Sequence, residues 1–228
     1  MESPERAPWG QFPTGGPRAL GATIQAIRRT TTSLTQVGLG EKALVHRRRV
    51  GVLERGESSN PNLTTLVRLA RGLDVSVSVL VAAFIWPPNS DLAFERWADG
   101  TTPAGTTRSR LSATPPPSLV GSAAMGLTLQ GFRTWNRRAT FRALAESAGM
   151  GTSWIIRLER GGVANPGLLT LTRLAHALND NVVDLGLLDL SVSLLAQVFA
   201  GEVSAHTAIR RRQAWDARRH VGKGERAS

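Results

Sequence analysis

The sequence predicts an all-α protein of two five-helix bundles joined by a flexible linker, with an extra C-terminal helix and a basic tail. Three observations carry that prediction. First, Leu53-Glu54-Arg55-Gly56 followed by Asn60-Pro61 returns as Leu158-Glu159-Arg160-Gly161 followed by Asn165-Pro166, an offset of 105 residues (159 − 54). The offset holds without a gap from Gly21/Gly126 through Arg28/Arg133, Thr35/Thr140 and Leu39/Leu144 to Leu66/Leu171, Leu73/Leu178 and Leu80/Leu185. A duplication of this period reads as two small domains and not as one large core. Second, apolar residues in each copy recur at helical spacing. Third, the stretch 98–118 between the copies is rich in Gly, Thr and Pro, the composition of a flexible linker. The expected boundaries are a disordered arm over 1–18, a first domain over 19–97, a linker over 98–121, a second domain with its extra helix over 122–200, and the basic tail over 201–228.

Each element has its own signal. Residues 1–18 are rich in Pro and Gly without periodicity, which predicts the arm. Leu20, Ile24 and Ile27 recur at i, i+4, i+7 and define one face of a first helix from Ala19. Thr35 is a suitable N-cap for a short second helix ending near Ala43 with Leu39 inward. A third helix over about 46–55 buries Val50 and Leu53 and stops at Gly56, where the left-handed C-cap conformation is open to a residue without Cβ. Asn60-Pro61 forms a turn into a fourth helix with Leu63, Leu66, Leu69, Ala70 and Leu73 apolar. A fifth spans about 76–84, and Trp86, Leu92, Phe94 and Trp97 are candidates to cap the bundle. Residues 125–187 repeat the pattern. Leu188 to Ala200 reads as an extra apolar helix, and the tail, with Arg210-Arg211-Arg212 and Arg218-Arg219 around Trp215, as either a basic helix or a disordered arm.

Composition bounds the partners. Twenty-eight Lys plus Arg against 17 Asp plus Glu give a formal charge of +11, and a pI near 11.7 makes a polyanion the first partner to consider. The charge is uneven: 20–84 carries nine basic and four acidic residues, 125–200 seven and five, and 201–228 seven and three. Absence of cysteine excludes disulfides and thiolate-ligated metal and suits a reducing interior, so the expected location is the cytoplasm, with the nucleoid. The N-terminus has Glu2, Glu5 and prolines but no apolar core of a secretory signal. The longest apolar run, Val75 to Trp86, falls short of the roughly 20 residues a membrane span needs.

The second and third helices of each copy, joined by a short turn, have the dimensions of a helix-turn-helix. Leu34-Thr35-Gln36, Leu39, Glu41, Ala43, Val45, Val50, Leu53-Glu54-Arg55-Gly56, Asn60-Pro61, Leu66, Leu69-Ala70, Leu73 and Val77 resemble the Xre/Cro/CI family of helix-turn-helix DNA-binding domains, whose bundles are lambda-repressor-like. The second copy is similar through Thr140, Leu144-Ala145-Glu146, Ala148-Gly149, Ile155, Leu158-Glu159-Arg160-Gly161, Asn165-Pro166, Leu171, Leu174-Ala175 and Leu178. The resemblance implies that the third helix enters the major groove by its N-terminal residues while the second crosses the backbone. Those residues are His46, Arg47, Arg48 and Arg49, with Val52 one turn on. Arginine can bind guanine O6 and N7 in bidentate fashion, so Arg47 and Arg48 are the foremost candidates for base readout. The resemblance places Gln36, with Thr35 beside it, at a phosphate, and the amides of Asn62 and Leu63 at a second. It also implies a structural ion pair between Arg29 and Glu54.

The second copy departs from this pattern. Gly151, Thr152, Ser153 and Trp154 stand where the basic quartet was, Phe141 replaces Gln36, and Thr134 replaces Arg29. Thr152 and Ser153 can still contact bases, Arg157 lies one turn further along, and Arg138 and Arg142 add charge suited to phosphates. This copy either reads DNA with a different preference or serves dimerisation or partner binding.

No catalytic constellation, cofactor motif or metal-ligand spacing appears: His46, His176, His206 and His220 are scattered, and Asp180 with Asp184 suits a helix start better than an acid/base dyad. The expected function is a sequence-specific regulator on double-stranded DNA, of repressor, phage-immunity or plasmid-control type, and not an enzyme. The linker adds an expectation. The connection from Ile85 to Ala124, about 40 residues, would as a flexible chain span roughly 35 Å root-mean-square, close to the roughly 34–36 Å between half-sites one helical turn apart, so one chain could occupy two half-sites without a homodimer. Two rival readings are an adaptor or antitoxin that binds a protein partner through Leu188 to Ala200, and a non-specific nucleoid-type DNA coater driven by the basic tail.

Overall fold

Residues 15–86, 121–135, 140–179 and 185–224 are described by the structure, a computed structural model. Among them the chain is all-helical, with eleven α-helices and a single isolated β-bridge. Residues 1–14 of the arm expected over 1–18, the stretch 87–120, Arg138, Asp180 and Asp184 lie outside the described residues.

Helix α1 (Gly16–Thr30) begins before the expected Ala19, since proline in its first turn starts a helix without sacrificing a bonded amide. Leu20, Ile24 and Ile27 are buried, as their spacing requires. Thr35 caps α2 (Gln36–Ala43), its Oγ1 accepting from Gly38 N at 3.0 Å. Leu44 turns the chain with φ of 53°, and α3 (Arg47–Glu54) follows. Gly56 takes φ of +69°, the left-handed conformation expected at the end of α3. The helices α4 (Leu63–Gly72) and α5 (Val77–Ile85) complete a bundle in which Leu39, Val50, Leu53, Leu66, Leu69, Leu73 and Leu80 are nearly or fully inaccessible. Gly21 shows why no side chain fits at that point of α1: a Cβ would collide with the carbonyl oxygens of Leu53 and Glu54, and Gly126 stands against Leu158 and Glu159 in the same way.

The same order follows downstream in α6 (Ser122–Trp135), α7 (Phe141–Ala148), α8 (Thr152–Glu159) and α9 (Leu168–Leu178). Here two expectations need correction. Leu188 to Ala200 is not a separate extra helix: it is the continuation of α10 (Leu185–Ala200), which begins within the fifth-helix register. Nor does it offer an apolar face to a partner protein, because Leu188, Leu190, Val192, Leu194, Leu195, Ala196 and Val198 are buried, and α10 packs against α5, α6 and α9 of its own chain. Of the basic tail, residues 205–224 form α11 (Ala205–Gly224), which lies on α6. Ala208 is buried and Ile209 fills the notch left by Gly131. Arg212 turns inward, donating to Ser191 Oγ at 3.2 Å, Asn179 Oδ1 at 2.6 Å and Asp216 Oδ1 at 2.8 Å.

The segments before and after residue 120 touch directly. Trp86 Nε1 donates to Asp189 Oδ2 at 3.1 Å, and Arg71 Nη2 to the Ala200 carbonyl at 2.9 Å. Glu202 closes the N-terminus of α5, accepting from Ser76 Oγ at 2.6 Å and Val77 N at 3.1 Å, a favourable place for a carboxylate because free amides and the helix dipole converge there. Helices α5 and α10 therefore run antiparallel, with Ser76 near Glu202 and Trp86 near Asp189.

Candidate nucleic-acid interface

The three-residue turn 44–46 sets α3 against α2, and three contacts fix it. Val45 N donates to Gly40 O at 2.8 Å. Arg68 Nη1 reaches the Leu44 carbonyl at 3.4 Å. His46 is the N-cap of α3, its Nδ1 accepting from Arg48 N at 3.2 Å. The expected base reader His46 thus commits its Nδ1, one of two ring nitrogens, to the helix start. Beyond it Arg47 and Arg48 are exposed on the first turn, with no acidic partner among the described residues. Arg49 is half-buried, with Nη2 3.3 Å from Ser58 Oγ, and Val52 is half-buried one turn on.

Behind this surface lies a three-residue network. Arg28 Nε donates to Glu54 Oε1 at 2.6 Å and its Nη2 to Oε2 at 3.0 Å. Gln36 Nε2 donates to the same Oε2 at 2.7 Å. The ion-pair partner of Glu54 is therefore Arg28 and not Arg29: Arg28 is 6% exposed on the inner face of α1, while Arg29, one position round the helix, is exposed to solvent. Burial alone would raise the Glu54 carboxyl, but hydrogen bonds from Arg28 and Gln36 and the charges of Arg28 and Arg29 outweigh it and hold it below the ordinary range. The hydrogen bond from Arg28 to Glu54 correspondingly raises the guanidinium. Gln36 is exposed at the first residue of α2, and an amide NH2 carries two hydrogens, so its bond to Glu54 orients the group without exhausting it. Thr35 serves as the N-cap beside it.

At the opening of α4 the expected Leu63 amide and its neighbour Thr64 are engaged elsewhere. Leu63 N donates to the Pro166 carbonyl at 3.0 Å and Thr64 N to Asn165 Oδ1 at 3.1 Å. Asn62 faces Gly167 in the isolated antiparallel bridge. The Leu63 amide is thus taken up within the chain and the phosphate role expected for it is corrected; the bridge at Asn62 is closed by the amides of Leu63 and Leu168 and not by that of Asn62.

Downstream, Arg133 Nε meets Glu159 Oε1 at 2.6 Å, the 105-residue counterpart of Arg28 and Glu54. Phe141 in place of Gln36 lies under the Arg133 guanidinium, 4.0 Å from ring centroid to Cζ, so an apolar ring covers the ion pair there. Thr152, Ser153 and Arg157 are exposed along α8, while Trp154 is half-buried against the core. Arg142 is exposed and pairs with Glu146 one turn along α7, Nε to Oε1 at 2.8 Å.

The partner of Glu54 is the residue-level feature that the family resemblance misplaced by one position, and its signal was present: arginine stands at both 28 and 133, whereas Arg29 gives way to Thr134. Among the described residues no cluster of His, Asp and Glu could hold a metal ion, and no helix is long and apolar enough to cross a membrane. No curated protein and no solved structure matches the chain. A family model described as helix-turn-helix matches residues 24–80, from Ile24 in α1 to Leu80 in α5, so that segment is similar to helix-turn-helix domains.

Proposed function

We propose that the chain is a sequence-specific regulator of transcription on double-stranded DNA, of repressor, phage-immunity or plasmid-control type, built on tandem helix-turn-helix segments and without catalytic activity. The observation that carries the reading is the pair Arg47 and Arg48, exposed on the first turn of α3 inside the matched segment. Two adjacent guanidiniums at the end of a helix that fits the major groove suit guanine-rich sequence, and Gln36, oriented by Glu54, suits a flanking phosphate. Thr152, Ser153 and Arg157 offer α8 a second, less basic reading surface. The adaptor reading is weakened by the burial of Leu188 to Ala200 within the chain. The nucleoid-coater reading is weakened by Arg212, one of the tail's arginines, which is buried and paired with Asp216.

An electrophoretic shift assay on a selected duplex tests this reading. Arg47→Ala with Arg48→Ala is expected to remove about 1–3 kcal/mol of discrimination per lost guanine contact, leaving weak, salt-sensitive, sequence-independent binding. Undiminished specific affinity would show that α3 does not read bases.

A further inference from the structure

The contacts between the two Asn-Pro turns have a symmetry that a mere tether would not impose. Leu63 N donates to Pro166 O at 3.0 Å, and Leu168 N donates to Pro61 O at 2.9 Å. Thr64 N donates to Asn165 Oδ1 at 3.1 Å, and Leu169 N to Asn60 Oδ1 at 3.0 Å. Each bond becomes its partner when 105 is added to one residue and subtracted from the other (63 + 105 = 168; 166 − 105 = 61). The bridged residues, Asn62 and Gly167, are each other's counterparts (62 + 105 = 167). Reciprocity of this kind defines an isologous contact, the signature of a two-fold axis. Helices α5 and α10 are compatible with the same axis: they pack antiparallel, and Ile85 and Leu190, again 105 apart, are both buried.

Resting on the DNA-binding reading above, we propose that the chain is an intramolecular two-fold dimer that reads one inverted pair of unequal half-sites, with one chain per site. An axis between Asn62 and Gly167 relates α3 to α8 and turns their N-terminal ends in opposite senses along the duplex. The half-sites are therefore inverted and not direct, and their separation is set by packed contacts and not by linker reach. They are unequal because Arg47 and Arg48 at one end correspond to Thr152 and Ser153 at the other. The self-complementary surface that a separate copy would use is already filled by the chain's own second half, so the homodimer considered from sequence is unnecessary.

The test is selection of bound sequences from random duplex DNA with the full chain, followed by sedimentation of the chain on the selected duplex and affinity measurements on spacing variants. The proposal expects two dissimilar half-sites in inverted orientation at one spacing, a complex of one chain per duplex, and a loss of roughly tenfold or more when five base pairs are inserted between the half-sites. Direct repeats, tolerance of the insertion, or two chains per duplex would overturn the two-fold inference while leaving the DNA-binding reading standing. A pool with no enriched sequence would overturn both.

Discussion

Glu54 joins three helices through two acceptor oxygens, taking Arg28 from α1 and Gln36 from α2 while itself ending α3. Its side chain is 1% exposed and that of Arg28 7%, so loss of either charge strands the other away from water. Glu54→Gln is expected to lower unfolding stability by about 3–5 kcal/mol, whereas Arg29→Ala, on the solvent side, should stay within about 0.5 kcal/mol; urea denaturation of the two variants distinguishes them. The pair also sets a pH dependence. Because the folded-state pKa of Glu54 is depressed, its contribution is complete above the ordinary carboxyl value of 4.5 and is lost as pH falls through the lower folded value. Acid titration of the wild type should show that loss below about pH 4.5, and Glu54→Gln should flatten this part of the curve. Helical spacing set both Arg28 and Arg29 off the face of Leu20, Ile24 and Ile27, and the family resemblance then took Arg29 as the partner of Glu54, since an arginine at the edge of the apolar face is ambiguous by one position. Comparison of the copies resolves it.

At the scale of elements, the helices with strong apolar periodicity and capping residues were legible: Thr35, Ser76 and Thr140 each cap the helix they precede. Helix α11 was left open between a basic helix and a disordered arm, because its docking residues Ala205, Ala208, Ile209, Arg212 and Trp215 are scattered through an otherwise polar run and do not register as an amphipathic face. Composition suggested a basic tail where an arginine in fact holds the helix down. Arg212→Ala removes a buried cation that bridges Ser191 on α10, Asn179 beyond α9 and Asp216 on α11. The expected cost is about 3–5 kcal/mol, which for a chain of this size lowers the thermal midpoint by about 6–20 °C. Arg210, exposed on the same helix, serves as the comparison: Arg210→Ala should leave the midpoint nearly unchanged in the same circular-dichroism melt.

For the whole molecule, the 105-residue offset was legible in the sequence but not how the two stretches it relates meet. Asn60-Pro61 and Asn165-Pro166 read locally as turns, and nothing local records that each turn takes its hydrogen bonds from the other. Pairing across 105 residues is a tertiary fact, and the linker's composition instead suggested two bundles free to move at its full reach. The contacts give the molecule one continuous apolar interior, since α5 buries Val77, Leu80, Val81, Phe84 and Ile85 where α10 buries Leu190, Leu194 and Val198. Segments sharing that much of their interiors should not melt independently. Scanning calorimetry of the full chain is expected to give one transition whose calorimetric and van't Hoff enthalpies agree. Trp86 is the place to weaken the junction: it is 8% exposed at the end of α5, and its indole N–H reaches Asp189. Trp86→Ala should cost about 3–5 kcal/mol and, if the junction supplies the cooperativity, broaden or split the transition. A wild-type trace already divided into two transitions would mean that the segments fold as separate units despite their contact.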